Sequence, residues 1–305
     1  MPEREVNVIT GAYGFTGRSI ARRLLVNGKK VITLTGHPRS DSEFGGDVEA
    51  TPFNFDNPAA LTDSLRGASV LFNTYWIRFA RGDATFERAV ENSKILFEAA
   101  KAAGVRRLVH VSITNPSIDS DLPYFKGKAE LEEFIKGLGI SYAILRPAVI
   151  FGDQGILINN IAWFLRRSPV FAAPGDGEYK LQPIYVEDLA DLAVSLAEKT
   201  EDVVTDAIGP EVFTFNELLH LIGRTVHSHT LITHLSPALV LTVTGMIGRL
   251  VGDVVLTPDE VKGLHANLLV SSQPPAGRVR LSDWLAENAE WIGTRYMSEV
   301  KKHYM

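Results

Sequence analysis

The sequence contains no cysteine among its 305 residues, which excludes disulfide bonds and thiol chemistry. It also lacks a large excess of charge of either sign, because 31 basic and 36 acidic residues give a formal net charge of -5. Since affinity for nucleic acid comes mainly from neutralising phosphates, this balance argues against a nucleic-acid partner. Apolar residues make up 45% of the chain and charged residues 22%, as in ordinary globular proteins.

Long hydrophobic runs are also scarce. The stretch from Thr225 to Gly248 has no Lys, Arg, Asp or Glu, but Pro237 interrupts it and its uninterrupted apolar part is only Ala238 to Ile247. A membrane-spanning helix needs about 20 apolar residues. Residues 236–251 therefore predict a buried or interfacial helix, and contact of this segment with a membrane surface or a protein partner is left open. No charged and apolar leader precedes Val6, which predicts a cytoplasmic protein.

Residues that could hold a metal are poorly grouped. His227, His229 and His234 lie near one another in sequence, but no carboxylate or cysteine accompanies them in that stretch. Spacing alone does not make a metal site, because the ligands need a matched set of donors. The sequence therefore predicts no metal centre.

A glycine-rich turn follows the first strand pattern of the chain. The apolar residues Val6 to Ile9 lead into Thr-Gly-Ala-Tyr-Gly-Phe-Thr-Gly at positions 10–17, and a helical pattern begins there. The first glycine permits a tight turn, the second permits close approach of a pyrophosphate, and the third permits close packing of helix and strand. The positive end of the helix then faces the phosphates. The turn predicts a dinucleotide site made by Gly11, Tyr13, Gly14, Phe15, Thr16 and Gly17.

Apolar strand patterns alternate with helical patterns over the first half of the chain. The strand patterns cover residues 6–10, 31–35, 51–55, 70–74, 108–112 and 142–145, and the helical patterns cover residues 16–27, 58–65, 85–103 and 124–138. This alternation predicts βαβ units and a parallel sheet. The predicted fold is α/β, with a doubly wound parallel sheet of the Rossmann type.

The spacing of the glycines and several later motifs resemble one superfamily. The glycines follow the pattern G-x-x-G-x-x-G, and the matching motifs are Phe55-Asp56, Asn73-Thr74, Val111-Ser112, Tyr124 to Lys128, and Leu145 to Gly152. This set resembles the extended and atypical branches of the short-chain dehydrogenases/reductases. Within them the chain is most similar to the group of the 39 kDa accessory subunit of respiratory complex I, with the NmrA-like regulators as near relatives.

The resemblance also divides the chain. It implies an NAD(P)-binding core over residues 1–152, to which residues 184–209 return through an amphipathic helix at Ile184 to Leu196. After Gly152 proline and glycine interrupt shorter elements. Residues 153–305 are therefore expected to form, for the most part, a smaller C-terminal subdomain on the substrate side.

Tyr124 and Lys128 are the candidate catalytic pair. Their spacing of four residues places both on one face of a helix. By the resemblance, Tyr124 is the acid/base, and Lys128 lowers the pKa of its hydroxyl and binds the nicotinamide ribose. Ser112 would hold a substrate carbonyl, with Thr114 as a nearby substitute. The alternative for Tyr124 and Lys128 is a role at the cofactor ribose without turnover.

The end of the second strand pattern bears on the choice of cofactor. An acidic residue there would accept hydrogen bonds from the ribose hydroxyls of NAD. The sequence instead reads Thr-Gly-His-Pro-Arg at positions 35–39. His37 and Arg39, with Arg18 near the glycine turn, would favour a 2'-phosphate, so NADP is expected in preference to NAD. The resemblance adds Asp56, as the contact to the adenine, and also Asn73, Pro147 and Val149 to the cofactor-binding set.

Together these patterns predict an NAD(P)-dependent oxidoreductase that transfers hydride to or from a carbonyl or a related small-molecule substrate. Two alternatives remain at this stage. One is a nucleotide-sugar epimerase that works through a transient ketone. The other is a sensor or assembly protein that binds NADP(H) without turnover. No pattern in the sequence indicates which substrate is used or what the oligomeric state is.

Overall fold

A computed structural model describes residues 5–37 and 43–303 of the chain. The strands, in chain order, are β1 (Val6–Thr10), β2 (Lys30–Leu34), β3 (Val48–Thr51), β4 (Ala68–Asn73), β5 (Arg107–Val111), β6 (Ser141–Pro147), β7 (Val149–Phe151), β8 (Val170–Pro174), β9 (Lys180–Leu181), β10 (Pro183–Tyr185), β11 (Val203–Ala207), β12 (Phe213–Thr214) and β13 (Leu231–Leu235). The helices are α1 (Phe15–Val26), α2 (Pro58–Leu65), α3 (Phe86–Ala102), α4 (Pro123–Leu138), α5 (Ile156–Arg167), α6 (Val186–Ala197), α7 (Phe215–Thr225), α8 (Pro237–Val251), α9 (Pro258–His265), α10 (Leu281–Glu287) and α11 (Glu299–His303).

The first of two compact units comprises Met1–Pro147 and Val186–Ala207. It contains a seven-stranded sheet in the order β11-β6-β5-β4-β1-β2-β3, in which every neighbouring pair is parallel. The chain starts in the middle of this sheet and winds outward in both directions, which confirms the predicted doubly wound α/β fold. In such sheets the ligand cleft lies beyond the carboxyl ends of the strands where the winding reverses, here at β1 and β4.

Apolar residues on the strands and on three helices form one core of this unit. Leu61 and Leu65 of α2, Leu96 and Phe97 of α3, and Leu131 and Ile135 of α4 pack together with Val8, Leu71 and Leu108 of the sheet. Because a parallel sheet is covered on both faces, its central strands carry almost continuous apolar runs instead of alternating patterns. The burial of these runs places the carboxyl ends of β1, β4 and β5 side by side.

Arg107, at the start of β5, is fully buried in the same unit. Its Nε donates to the carbonyl oxygen of Leu196 at 2.8 Å, one terminal nitrogen donates to Ser141 Oγ at 2.5 Å, and the other donates to the carbonyl oxygen of Glu201 at 2.8 Å. A guanidinium has several donors and no acceptor, so it can satisfy several oxygens at once. Arg107 thereby joins the end of α6 and the following turn to β5 and β6.

Most predicted element bounds lie within two residues of the observed ones, and two of the differences have a clear physical reason. The third strand was expected at residues 51–55 but runs from Val48 to Thr51, because Pro52 has no N–H with which to continue the ladder. The amphipathic stretch expected from Ile184 enters its helix only at Val186, because Pro183–Tyr185 pairs with β7 as a strand.

The second unit comprises Ala148–Tyr185 and Ile208–Met305. Its described residues form three two-stranded sheets, which are β7 with β10 (parallel), β9 with β12 (antiparallel) and β8 with β13 (parallel). Phe151, Leu218, Leu219, Trp284 and Leu285 belong to its buried core. The apolar stretch within residues 236–251 forms α8, much of which is exposed. Within residues 5–37 and 43–303, no helix has the length and apolar character needed to cross a membrane.

Candidate functional site

The glycine turn joins β1 to α1 in a conformation that only small residues permit. Gly11 has a φ of +72° and donates its N–H to the carbonyl oxygen of Leu34 at 2.9 Å, and Gly14 donates to Gly11 O at 2.9 Å. A Cβ at Gly17 would lie 2.8 Å from the carbonyl carbon of Gly11 and closer still to its oxygen. Gly14 is the N-cap of α1 and has no side chain with which to cap the first-turn N–H groups. The turn therefore fits the phosphates of a dinucleotide, which would take the place of that cap.

Side chains from three neighbouring strands support this turn from beneath. Thr10 Oγ1 accepts from the main-chain N–H groups of Thr74 at 2.7 Å and Tyr75 at 2.9 Å, and donates to Asn73 Oδ1 at 3.0 Å. Because Asn73 Oδ1 is an acceptor, its Nδ2 is the donor to Nδ1 of His110 at 3.0 Å. Asn73 was predicted to bind the cofactor, and the structure places its fully buried side chain below the turn, where both polar atoms are engaged.

His110 is held as a neutral imidazole in this network. It accepts at Nδ1, so its proton is on Nε2. Complete burial, with a smaller contribution from the charge of Lys128, holds the pKa of His110 well below its usual range. The imidazole therefore stays uncharged near neutral pH and serves the network as an acceptor.

The predicted catalytic pair lies on α4, near the carboxyl end of β5. Lys128 is only 2% exposed, and its Nζ donates to the carbonyl oxygen of Val111 at 2.7 Å. Nζ also lies 4.4 Å from the ring centre of Trp76, which packs edge to face with the ring of Tyr124 at 5.7 Å between centroids. Tyr124 and Lys128 thus contact the same indole. The structure therefore brings the two predicted residues together.

Gly127 gives Trp76 its position beside Lys128. A Cβ at residue 127 would lie 2.9 Å from Cη2 of Trp76 and 3.0 Å from Cγ2 of Val90. Glycine inside a helix costs about 1 kcal/mol relative to alanine. Here it leaves the space that the indole fills, so the contact between Trp76 and Lys128 is part of how α4 packs.

Glu132 lies one helical turn beyond Lys128 and connects it to the predicted Ser112. The buried Glu132 carboxylate is paired with Arg146, whose Nε donates to Oε1 at 2.9 Å and whose terminal nitrogen donates to Oε2. Ser112 Oγ lies 2.6 Å from Oε1. Because the guanidinium makes both oxygens of Glu132 acceptors, the Ser112 hydroxyl donates its proton to Glu132. Its oxygen therefore presents only lone pairs to any other group.

Sequence reasoning missed Glu132 and Arg146 as members of the site. The four-residue spacing of Tyr124, Lys128 and Glu132 was a signal that could have found Glu132, because it places all three on one face of α4. Arg146 stood within a recognised motif, but a pairing between α4 and β6 has no pattern in a single sequence. Thr114, the suggested substitute for Ser112, is fully buried and donates its N–H to the carbonyl oxygen of Pro147 at 3.0 Å.

The remaining predicted cofactor residues lie at several places. His37 is exposed just after β2, and Asp56 is exposed on the turn before α2. Tyr13 donates its hydroxyl to the carbonyl oxygen of Val48 at 3.4 Å, and Phe15 and Thr16 open α1. Pro147 ends β6 and accepts from Thr114, Val149 lies on β7 of the second unit, and Arg39 lies outside the described residues.

Ion pairs lie close in sequence to the residues predicted to bind the adenosine end of the cofactor. Arg22 donates to both carboxylate oxygens of Glu43, at 2.7 and 2.5 Å. Arg18, next to the glycine turn, lies 3.8 Å from the same carboxylate. The charge of Glu43 is thus shared between two arginines of α1. The histidines considered for a metal show no such arrangement: His234 Nε2 lies 2.8 Å from Asn216 Oδ1, and the described part of the chain has no group of three or more residues that could hold a metal.

Burial lowers the pKa of Lys128 from 10.5 to about 7, and the charge of Glu132 only partly opposes this. Between these two pH values the unfolded chain holds a proton that the folded chain has released, so the free energy of unfolding rises with pH across this window. A Lys128→Met variant lacks this dependence. We expect wild type to gain stability relative to Lys128→Met from pH 7 to pH 10, by about 3 kcal/mol in urea-unfolding measurements.

The exposed Lys126 on the same helix provides the control, and Lys126→Met is expected to follow wild type at each pH. A constant stability difference between wild type and Lys128→Met from pH 7 to pH 10 would contradict the lowered pKa of Lys128.

Comparison with known proteins adds to this geometry. A family model described as NAD(P)H-binding matches residues 11–199. The chain is 26% identical over 227 residues to the mitochondrial NADH dehydrogenase (ubiquinone) 1 alpha subcomplex subunit 9 of Arabidopsis thaliana, a match that covers 71% of this chain and 56% of that protein. It is 28% identical over 290 residues to the Mus musculus protein of the same name, covering 88% of this chain and 74% of that one. The chain thus spans little more than half of the plant relative.

Solved structures are also similar in fold. The triphenylmethane reductase of Citrobacter sp., in complex with NADP(H), aligns with a TM-score of 0.73 and 17% sequence identity, over 93% of this chain and 99% of that one. At this identity the likeness concerns the fold.

Proposed function

Since the chain belongs to the NAD(P)H-binding family, we propose that it is an NADP(H)-dependent oxidoreductase of the short-chain dehydrogenase/reductase type. The observation that carries the proposal is the buried Lys128 of α4, hydrogen-bonded to the last residue of β5, with Tyr124 one turn before it on the same helix. Burial of a lysine in an apolar environment costs free energy, and lysines with a pKa shifted in this way are concentrated at functional sites. The substrate class is a carbonyl compound or the corresponding alcohol.

The nicotinamide, when bound, supplies or accepts the hydride. The glycine turn and the N-terminus of α1 would hold the pyrophosphate, since a side chain at Gly17 would fill the space that the turn needs. In the reaction, the protein's own side chains supply or remove one proton at the substrate oxygen. Tyr124 carries that proton on its hydroxyl, and Lys128, whose pKa of about 7 suits proton exchange near neutral pH, supports its release and return.

Glu132 is the positioning residue of this site. Glu132 accepts a hydrogen bond from the Ser112 hydroxyl and pairs with Arg146. These contacts fix the Ser112 side chain and the position of α4 next to β6. The negative charge of Glu132 also favours the ammonium form of Lys128. In this arrangement Ser112 would accept a hydrogen bond from a ligand and would not donate one to a carbonyl oxygen.

The preference for NADP rests on charge at the end of β2. His37 occupies the stretch in which an acidic residue would contact the ribose hydroxyls of NAD. Its main-chain N–H donates to Thr35 Oγ1 at 3.1 Å, which fixes the start of this loop. The nearest acid among the described residues of the following loop, Glu43, is paired with Arg22. A 2'-phosphate would therefore meet less repulsion here than in an NAD-specific site.

The second candidate function is a protein that binds NADP(H) without turnover and acts in assembly or sensing. The observation that favours it is that two of the candidate groups contact the protein itself: Lys128 donates to Val111 O, and Ser112 donates to Glu132. Two relatives carry the names of respiratory-complex subunits. A catalytic role requires Lys128 to contact the nicotinamide ribose as well, for which its ammonium has further N–H donors.

Turnover separates the two functions. We expect the wild type to oxidise NADPH in the presence of at least one member of a panel of aldehydes, ketones and quinones, and to do so faster than it oxidises NADH. Replacing Tyr124 by phenylalanine removes only the hydroxyl, and kcat is expected to fall by about 10²- to 10⁴-fold, as for the loss of a general acid. NADPH affinity, followed by its fluorescence, is expected to stay within a few-fold.

Tyr142→Phe is the matched control, because Tyr142 packs against the core on β6 and lies outside the proposed catalytic set. Unchanged turnover in Tyr124→Phe would eliminate the assigned acid/base role. Tight NADPH binding with no turnover across the panel would support the non-catalytic function.

A further inference from the structure

Helix α8 of the second unit exposes a stripe of large apolar side chains. Leu239, Met246 and Leu250 are 47%, 54% and 87% exposed. They are spaced by seven and four residues, so they lie on one face of the helix. The opposite side is the buried one, where Val240 and Gly248 face the protein. The stripe therefore extends along about 16 Å of the helix axis.

The threonine hydroxyls beside this stripe donate their hydrogen bonds within the helix. Thr242 Oγ1 donates to the carbonyl oxygen of Ala238 at 2.9 Å, and Thr244 Oγ1 donates to that of Val240 at 2.9 Å. Such hydrogen bonds to the preceding turn satisfy the hydroxyl proton within the helix itself. Apart from Arg249, no side chain of α8 is left with a donor to offer outward. A specific protein interface would need such groups, because interfaces carry about one hydrogen bond per 100–200 Å².

Positive charge is gathered at the C-terminal end of α8. From Thr225 to Gly252 the chain has no acidic residue, and the only charged residue of α8 is Arg249. Asp253 then joins this end to α11, since its N–H donates to Gly248 O and its carboxylate accepts from the main-chain N–H groups of Glu299 and Val300, at 3.0 and 3.1 Å.

Through this link the short helix α11 brings two further cations near the end of the stripe. Lys301 is exposed, and the half-buried Lys302 lies with its Nζ 3.4 Å from the carbonyl oxygen of Gln154. Three basic residues, including Arg249, therefore stand at this end against the half-buried Glu299 and the buried Asp253. An apolar stripe bordered by basic residues is the arrangement of helices that lie in the interface of an anionic bilayer.

We propose that α8 binds the surface of an anionic lipid bilayer, with Leu239, Met246 and Leu250 inserted at the boundary between headgroups and acyl chains. Helix α8 has 15 residues and a length of about 22 Å, so it would lie along the surface. Arg249, Lys301 and Lys302 contact lipid phosphates at one end of the helix. This inference is independent of the proposed oxidoreductase activity.

Co-sedimentation of the full chain with vesicles tests the proposal. Wild type is expected to bind vesicles of equal parts phosphatidylglycerol and phosphatidylcholine, and to bind pure phosphatidylcholine more weakly. The double variant Met246→Glu/Leu250→Glu is expected to lose binding to the anionic vesicles by about tenfold or more. Replacing Arg249, Lys301 and Lys302 by glutamine is expected to reduce the dependence of binding on salt concentration.

The matched control is Leu157→Glu/Val212→Glu, because these apolar residues of the same unit are 41% and 45% exposed and lie outside α8. Thermal unfolding of both double variants shows whether each is folded. Failure of wild type to bind anionic vesicles would overturn the proposal, as would equal losses in the two double variants. A dimer that Met246→Glu/Leu250→Glu converts to monomer, without vesicle binding by wild type, would assign the stripe to a second copy of the chain.

Discussion

Replacing Gly17 by alanine is expected to weaken NADPH binding by about a hundredfold or more. The added Cβ would lie 2.8 Å from the carbonyl carbon of Gly11 and closer to its oxygen, and these are main-chain atoms that cannot rotate away. Either the turn at Gly11 or the first turn of α1 must move. Both supply the N–H groups that face the pyrophosphate. Titration of NADPH fluorescence measures the affinity.

Gly137→Ala is the control for adding a methyl group to a helix of the same unit. Nothing lies within 4 Å of a Cβ at position 137 of α4, so this change is expected to leave NADPH affinity unaltered and to stabilise α4 slightly. Thermal unfolding of Gly17→Ala distinguishes a distorted turn from an unfolded chain. If Gly17→Ala binds NADPH within threefold of wild type, the turn does not hold the pyrophosphate as proposed.

An Arg107→Met variant is expected to lose about 3–5 kcal/mol of unfolding free energy. Methionine fills most of the aliphatic volume but leaves the carbonyl oxygens of Leu196 and Glu201 and the hydroxyl of Ser141 without their donor. A buried acceptor such as Leu196 O costs on the order of 1–3 kcal/mol when it loses its donor, and the part-buried acceptors of Ser141 and Glu201 add smaller amounts. Urea unfolding, with the midpoint and slope fitted separately, measures the loss.

The neighbouring Arg106 provides the matched control. Its side chain is about half exposed, and its terminal nitrogen lies 3.3 Å from the carbonyl oxygen of Ala197 and 3.5 Å from a carboxylate oxygen of Glu5. Exposed pairs of this kind contribute about 0–1 kcal/mol, so Arg106→Met is expected to change the unfolding free energy by less than about 1 kcal/mol. Similar losses in the two variants would show that Arg107 does not hold α6 to the sheet as described.

The sequence was sufficient for the fold because local patterns and the global arrangement agree. Runs such as Val70 to Phe72 are apolar on both faces, which only a covered parallel strand requires, and the glycine turn marks the first strand of the sheet. The bounds of β3 were misplaced because Phe53 and Phe55 prolong the apolar pattern beyond Pro52, where the strand ends. Apolar character there reflects packing of two rings and does not reflect strand pairing.

The predicted site was found in part for a similar reason. Tyr124 and Lys128 are neighbours within one helix, so their spacing alone relates them. The contact of Trp76 with Lys128 and the pairing of Glu132 with Arg146 join residues that are far apart in the chain. Such contacts depend on how α4 packs against the sheet and on the space left by Gly127. No spacing rule in a single sequence encodes them.

The hydrogen-bonded series of Thr10, Asn73 and His110 has a consequence for the thermodynamics of nucleotide binding. These side chains lie on the adjacent strands β1, β4 and β5 and are joined at 3.0 Å each. The main chain at Thr74 and Tyr75 is bonded to the same series, so the floor of the cleft is rigid before any ligand arrives. These residues lose their conformational entropy when the chain folds. Nucleotide binding therefore does not have to order them, and its free energy carries no such entropic cost.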